Sequence, residues 1–226
     1  MTSPPLIVDP TGAHMHTVIF LHGRGSNATE FCSEIFESQD SSGLCFPKLF
    51  PSVKWVFPCV NVGWSELDHE EVHRWFGMIS RLGLEDSRTQ LLGIVEEGKF
   101  VMRERIILGI SQGCAVALWA LLSADVCIGG FFGLCGWLPS ADELVNDHGT
   151  LRGWRNAGNM PILLQHCKDD GVVQFANGMA MRNCLEELRM DVKWQYFEEG
   201  GHWLNEPEGM DGIVEFLKSV IANEPQ

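Results

Sequence analysis

The sequence predicts an α/β fold, with a mostly parallel, doubly wound sheet and helices on both of its faces. Two observations carry this prediction. Short, continuous apolar runs typical of buried parallel strands alternate along the chain with segments of helical periodicity. The length of 226 residues suits a single domain, and neither a linker nor an internal repeat divides it. We therefore assign residues 1–226 to one domain.

The apolar pattern places the individual elements in order. A predicted helix over 28–37 has Asn27 as its N-cap and Glu30 as the other half of a capping box. A second predicted helix begins with the capping-box pair Ser87 and Gln90 and reaches about residue 102. Further helices are expected directly after Ser111 and over 173–189 and 209–222. The predicted strands are 17–21, 53–57, 105–108, 128–134, 161–166 and 192–197, the last nearer the sheet edge.

Two segments lack a clear period. Residues 60–83 combine several glycines with aromatic side chains, and long irregular segments in compact domains are more often functional than idle. We interpret 60–83 as a loop region near the active site. Residues 140–159 are polar and contain glycine, which predicts a surface segment.

The composition excludes several classes of partner. The formal net charge of −14 argues against a nucleic-acid groove or an anionic membrane surface as a standing partner. No apolar run approaches the length of a membrane span, and residues 1–5 lack the pattern of a secretory leader. We therefore expect a cytoplasmic protein.

The eight cysteines indicate a reducing compartment, because several of them, including Cys114, Cys127 and Cys135, fall inside predicted core segments. No C-x-x-C pair or Cys/His cluster shows metal-ligand spacing, so we predict no metal and no other cofactor.

The strongest single motif is Gly109-Ile110-Ser111-Gln112-Gly113, a G-x-S-x-G pattern between a predicted strand and a predicted helix. This context is typical of a nucleophile elbow, in which a sharp turn presents a serine hydroxyl at the start of a helix. Bulky side chains two positions either side of the serine would collide, which explains the glycines. The motif is weak alone and needs partners elsewhere in the chain.

A serine nucleophile requires a histidine base and a carboxylate that orients it, in the order Ser, Asp or Glu, His. Three histidines follow Ser111, namely His148, His166 and His202. His148 lies in the polar segment and His166 ends a predicted strand, so we favour His202, in a glycine-flanked loop after the last strand. Asp169 and Asp170 both follow the strand that ends at His166. We assign the acid to Asp170 and leave Asp169 as a helix cap or loop residue.

The tetrahedral intermediate of such a reaction needs two N–H donors. The backbone N–H of Gln112, next to the nucleophile, and that of Arg24, in the first glycine-rich loop, are the candidates. Because these are backbone roles, the side chains at both positions should matter less. An ordinary tight turn is the alternative for 22–25; a phosphate loop would need a G-x-G-x-x-G or G-K-[ST] pattern, which is absent.

These residues together resemble the phospholipase/carboxylesterase family, which contains acyl-protein thioesterases and small carboxylesterases of the α/β-hydrolase fold. The resemblance covers nearly the whole chain. It implies Ser111, Asp170 and His202 as the catalytic triad and Arg24 and Gln112 as oxyanion donors. The matching stretches are Phe20-Leu21-His22-Gly23-Arg24-Gly25, Trp75-Phe76, Gly109 to Gly113, Gly136-Trp137-Leu138-Pro139, His166 to Asp170 and Gly201-His202.

The chain departs from the family pattern at three positions around the predicted site. Cys114 and Cys167 stand where the family has glycine, and Gly171 stands where it has proline. The segment 64–88 also looks little like the thioesterase members. We expect Cys114 to pack inside the helix and to be inert. The departures indicate a divergent member with its own acyl group.

Aromatic residues flank each predicted loop of the site. Most of the eight tryptophans are expected in the core or a pocket wall, without a basic patch for stacking nucleic acid. The resemblance implies that Trp75-Phe76 and Trp137-Leu138-Pro139 lie near the acyl site. The predicted substrate-binding residues are Trp64, Trp75, Phe76, Trp137, Leu138 and Trp203.

The sequence therefore predicts a serine hydrolase that forms an acyl-enzyme on Ser111 from a small-molecule or lipid-like ester or thioester, or from an acylated protein or carrier. An alternative is an acyltransferase or lactone-forming thioesterase, in which a hydroxyl replaces water. A non-catalytic ligand binder of the same fold is the third alternative. No oligomeric state is predicted.

Overall fold

The computed structural model describes residues 4–77, 83–97, 105–124, 126, 128–139 and 160–222. Several sequence predictions fall outside these ranges: the polar segment 140–159 with His148, Cys127, and the end of the helix predicted near residue 102.

The described part of the chain is built on a seven-stranded sheet with the order β1-β3-β2-β6-β7-β8-β9. The strand β1 pairs antiparallel with β3, and every other neighbouring pair is parallel. This confirms the predicted α/β class with a mostly parallel sheet. The strands are β1 Leu6–Val8, β2 His16–Leu21, β3 Val53–Phe57, β6 Arg105–Ile110, β7 Gly130–Leu134, β8 Ile162–Cys167 and β9 Val192–Phe197.

Helices cover both faces of the sheet, as predicted. Alternate strand residues point to opposite faces, so Phe20 and Ile106 contribute to one core and Leu21 and Ile107 to the other. The first core contains α1, α2 and α6, and the second contains α3, α4 and α5. The helices are α1 Ala28–Glu37, α2 Phe46–Leu49, α3 Leu84–Glu97, α4 Gln112–Ser123, α5 Phe175–Glu187 and α6 Glu208–Ala222.

The helix α1 has the predicted bounds and the predicted cap. The side chain of Asn27 accepts hydrogen bonds from the backbone N–H groups of Thr29 and Glu30, at 3.0 and 3.1 Å. Within the described ranges, each helix is too short or too polar to span a lipid bilayer.

The segment 60–83 is not simply a loop, which corrects the prediction. It contains an antiparallel hairpin of β4 (Val62–Ser65) and β5 (Glu70–His73), separate from the main sheet. These strands are only four residues long and mostly exposed or half-buried, so no alternating apolar pattern marks them in the sequence.

The helix α3 begins before the predicted capping box. It starts at Leu84, so Ser87 lies inside the helix, where its buried hydroxyl donates a hydrogen bond to the carbonyl of Trp75 (2.5 Å). The predicted cap was wrong because this hydroxyl binds a distant backbone carbonyl, which local sequence spacing does not reveal. The expected apolar stripe is present, since Leu91 and Val95 are fully buried.

The turn between β6 and α4 is tight enough to require both of its glycines. A Cβ at Gly109 would lie 2.7 Å from the backbone of Gly113 and Cys114. A Cβ at Gly113 would lie 2.5 Å from the carbonyl oxygen of His22 and 2.6 Å from that of Leu21. The turn is therefore pressed against the end of β2 by direct backbone contact.

We predict that Gly113→Ala destabilises the protein by about 1–3 kcal/mol, because neither backbone can yield without strain. Gly93→Ala is the matched control: no atom lies within 4 Å of its Cβ position inside α3, so the same change should stabilise by about 0.5–1 kcal/mol. Urea unfolding measures both values. Equal effects of the two substitutions would contradict this account of the turn.

Candidate active site

Ser111 occupies the turn between β6 and α4 in a strained conformation, with φ +54° and ψ −121°. Such strain persists only where the surroundings fix it. The N–H of Ser111 donates to the carbonyl of Leu134 (2.9 Å), and its carbonyl accepts from Ala115 (3.1 Å). The hydroxyl makes no capping hydrogen bond to the described N-terminus of α4. Hydrogen bonds thus fix the backbone of Ser111, while its side chain does not cap the helix.

The carboxylate of Asp170 is fully buried and accepts a hydrogen bond from Nδ1 of His202 at 2.8 Å. Its other oxygen accepts from the N–H groups of Val172 (2.8 Å) and Val173 (2.9 Å). Burial alone raises the pKa of Asp170, but the hydrogen bonds from His202, Val173 and Val172 outweigh it and lower the pKa. The ionised carboxylate favours a proton on Nδ1 of His202, which leaves Nε2 able to accept one.

His166 lies beside the same carboxylate, although the sequence analysis assigned it no role. It is fully buried, with Nε2 at 3.1 Å from Oδ2 of Asp170 and 2.9 Å from the carbonyl oxygen of Val173. The four-residue spacing between His166 and Asp170 is the only sequence signal for this contact, and a strand followed by a turn does not make it predictable.

Cys135, His166 and Asp170 form a group of possible metal ligands that the sequence spacing did not reveal, with ligand atoms within 4.8 Å of one another. Their hydrogen bonds already engage these atoms: Asp170 holds His202, and His166 holds Val173. Burial and the nearby Asp170 carboxylate raise the pKa of the Cys135 thiol, which keeps its proton. We therefore interpret Cys135 and His166 as side chains that pack and hydrogen-bond around Asp170.

A cavity of about 660 Å³ brings the predicted catalytic residues together. Ser111 and His202 both line it, and so do Arg24 and Gln112, the predicted oxyanion donors. The remaining wall is largely apolar, which suits an acyl chain. The other lining residues are Gly23, Ser26, Phe31, Glu34, Leu67, Ile110, Trp137, Val172, Val173, Asn177 and Trp203.

The side chain of Gln112 has a role of its own, contrary to the expectation that its identity matters little. Its oxygen accepts from the N–H of Trp75 and its nitrogen donates to the carbonyl of Phe76, both at 2.8 Å. The buried amide thereby ties the segment after the β4–β5 hairpin to the turn that carries Ser111.

The side chain of Arg24 also makes specific contacts. Its guanidinium donates to the hydroxyl of Ser65 (2.7 Å) and forms an ion pair with Asp68, both in the β4–β5 hairpin. The N–H of Gly25 donates to the carbonyl of His73 in the same hairpin (2.8 Å). Arg24 and Gln112 therefore anchor the segment 62–76 at two points beside Ser111.

A family model described as Phospholipase/Carboxylesterase matches residues 3–221. The chain belongs to this family. A relative from Yarrowia lipolytica, acyl-protein thioesterase 1, is 28% identical over 227 residues, which cover 96% of this chain and 97% of the relative. A probable carboxylesterase SOBER1-like from Arabidopsis thaliana is 25% identical over 225 residues, covering 92% of this chain and 79% of the relative.

Solved structures agree with the family's α/β-hydrolase fold. Zea mays acyl-protein thioesterase 2 superposes with a TM-score of 0.78 at 24% identity, covering 96% of this chain and 98% of that one. Esterase PE8 superposes with a TM-score of 0.76 at 20% identity, covering 97% and 100%. Family membership and the named relatives support hydrolysis of an ester or thioester bond.

The six substrate-binding residues predicted for this family member lie in different surroundings. Trp137 and Trp203 line the cavity. Trp75, Phe76 and Leu138 are buried in the core instead, and Trp64 is half exposed on the hairpin. Trp75 and Phe76 lie behind the cavity wall because the side chain of Gln112 binds their backbone. The ring of Phe76 packs edge-on against that of Trp137, with 6.2 Å between the ring centroids. Leu67 and Val172, which the sequence did not single out, line the cavity in their place.

Cys114, a departure from the family pattern, packs as expected. It is fully buried, and a Cβ at Gly136 would lie 2.3 Å from its sulfur. Burial raises the pKa of its thiol to about 12. The thiol therefore keeps its proton and fills space behind the turn that carries Ser111.

Gln112→Ala should destabilise the protein by about 1–3 kcal/mol for each partner group left unpaired, because the N–H of Trp75 and the carbonyl of Phe76 are buried. Urea unfolding measures the loss. Gln39→Ala, at an exposed position away from the cavity, is the control and should change stability by less than about 0.5 kcal/mol. A loss no larger than that of the control would contradict the anchoring role.

We predict that lowering the pH from 6.5 to 4 destabilises the protein because of His22. Burial lowers the pKa of this fully buried side chain to about 4, from 6.5 in the unfolded chain. The unfolded state therefore binds more protons in this window, and the loss reaches about 3 kcal/mol at its lower end. Urea unfolding of wild type and His22→Gln at pH 7 and pH 4 isolates the effect. The same pH dependence in both proteins would refute it.

Proposed function

We propose that one domain over residues 1–226 hydrolyses a carboxylic ester or thioester through an acyl intermediate on Ser111. The hydrogen bond between Asp170 and Nδ1 of His202, beside a cavity that Ser111 also lines, carries this proposal. The strained turn supports it too, because backbone strain of this kind recurs at catalytic positions. His202 acts as base and then as acid, and Asp170 orients it.

The reaction proceeds in two half-steps. The hydroxyl of Ser111 attacks the acyl carbon and gives its proton to Nε2 of His202. The backbone N–H groups of Arg24 and Gln112 stabilise the oxyanion, and the leaving thiolate or alkoxide takes the proton from His202 as the carbon–sulfur or carbon–oxygen bond breaks. Water then attacks the acyl-Ser111 ester, passes a proton through His202 and releases the carboxylic acid.

The cavity walls support an acyl substrate. Phe31, Leu67, Trp137, Val172 and Trp203 surround the space beside Ser111 with apolar surface. The substrate is a small-molecule or lipid-like ester or thioester, or an acylated protein or carrier. The relatives named acyl-protein thioesterase support the thioester class.

The proposed compartment is the cytoplasm. Six described cysteines form no disulfide, and four of them are buried, which supports a reducing environment; the six are Cys32, Cys45, Cys59, Cys114, Cys135 and Cys167. The formal net charge of −14 supports a substrate other than nucleic acid.

We expect the protein to convert a long hydroxyacyl thioester to the free hydroxy acid, identified by its mass after chromatography. Ser111→Ala should lower the rate by at least about 10³-fold, because the nucleophile is lost. Ser123→Ala, at the end of α4 that is distant from Ser111, is the matched control and should retain the rate.

The other products of this experiment have defined meanings. A product lighter by one water would show that the substrate's own hydroxyl captures the acyl group, which would replace hydrolysis with lactone formation. An absence of turnover with thioesters and oxygen esters, together with no labelling of Ser111 by a fluorophosphonate, would leave the non-catalytic binder.

A further inference from the structure

The loop that carries His202 is contacted by three consecutive residues, Lys168, Asp169 and Asp170. Their partners follow the same order along the loop. Lys168 forms an ion pair with Glu198 at 2.6 Å, and Asp170 holds the imidazole of His202. Asp169 lies between them. Its carboxylate accepts hydrogen bonds from the backbone N–H groups of Gly201 at 2.8 Å and of Gly200 at 3.2 Å.

One interpretation of the sequence made Asp169 the cap of the following helix. The structure contradicts that interpretation. The helix α5 begins at Phe175, with Gln174 at the N-cap position. The carboxylate is directed instead to the neighbouring loop, where two successive N–H groups converge on it. Hydrogen bonds between an ionised acceptor and backbone N–H groups are stronger than neutral ones.

The loop needs such an anchor because two consecutive glycines leave its backbone conformationally flexible. Gly200 has φ +139° and Gly201 has φ +63°, both in the region that glycine alone adopts readily. These glycines directly precede His202, so small changes in their dihedral angles would move the imidazole away from Asp170. The nearby thiols of Cys135 and Cys167 approach the carbonyl of Trp203 at 3.7 and 3.8 Å, which are weak contacts.

We propose that Asp169 is a positioning residue for the reaction: it fixes the backbone of Gly200 and Gly201 so that His202 stays bonded to Asp170 and within reach of Ser111. This inference rests on the proposed hydrolase function. Asp169 touches neither the substrate nor the reacting atoms. It acts through His202.

Removing the carboxylate should lower kcat rather than substrate binding. Asp169→Ala should reduce kcat for the same hydroxyacyl thioester by about 10- to 100-fold, since small displacements of a catalytic group have effects of this size. KM should change by less than about twofold. Asp169→Asn should fall between wild type and Asp169→Ala, because its amide oxygen can still accept from Gly201 but its amide nitrogen cannot accept from Gly200.

Asp40 provides the matched control. Its carboxylate also accepts two backbone N–H groups in a loop, those of Ser42 and Leu44, both at 3.0 Å, but it does not line the cavity. Asp40→Ala should leave kcat unchanged. Thermal unfolding of all variants identifies any general loss of stability, and Asp169→Asn tests the inference if Asp169→Ala does not fold.

A double substitution separates positioning from a general structural role. In a His202→Ala background, Asp169→Ala should cause no further loss of the remaining rate, because the group that it positions is absent. The rate of Ser111 labelling by a fluorophosphonate should fall in parallel with kcat. A kcat for Asp169→Ala within twofold of wild type, or the same fold-loss with and without His202, would overturn the inference. Inactivity of the wild-type protein would instead overturn the proposed function.

Discussion

The structure depends on the close approach of two backbones where the turn after β6 meets the end of β2. Gly113 lies so near the carbonyl groups of Leu21 and His22 that no side chain fits between them. This contact holds Ser111 at positive φ and brings Gly23 against it, since a Cβ at Gly23 would lie 3.4 Å from Cβ of Ser111. Ser111 and the loop that carries Arg24 are thereby fixed by the same packing.

The parallel sheet then determines which other residues can join the site. Parallel strands all end at one edge, and in α/β proteins that edge carries the ligand. Ser111 follows β6, Asp170 follows β8 and His202 follows β9, while Arg24 follows β2. Residues far apart in sequence are therefore neighbours for a topological reason. Further hydrogen bonds hold the segments around these residues in place. The side chains of Arg24 and Gln112 bind the segment 62–76, and that of Asp169 binds the His202 loop.

Much of this was predictable from local patterns. Strand β3 and helix α1 have the predicted bounds, and the strand–turn–helix context of Ser111 is confirmed. Local sterics and periodicity determine these features. The hairpin was missed because its short, exposed strands carry no apolar signal, and the capping role of Ser87 was wrong because its hydroxyl binds the distant Trp75. Likewise, Trp75 and Phe76 were expected at the cavity but are held behind it by Gln112.

Local patterns in the sequence predict the six parallel strands of the main sheet, the longer helices and the strand–turn–helix context of Ser111. These depend on interactions within a few residues of one another. Tertiary packing determines the contacts of Asp169, whose carboxylate binds the backbone N–H groups of Gly200 and Gly201 beside the predicted partner pair Asp170 and His202. It also decided that the side chain of Arg24 binds the hairpin. Each of these contacts joins segments about 30 or more residues apart, and their geometry depends on how strands and loops pack across the sheet edge.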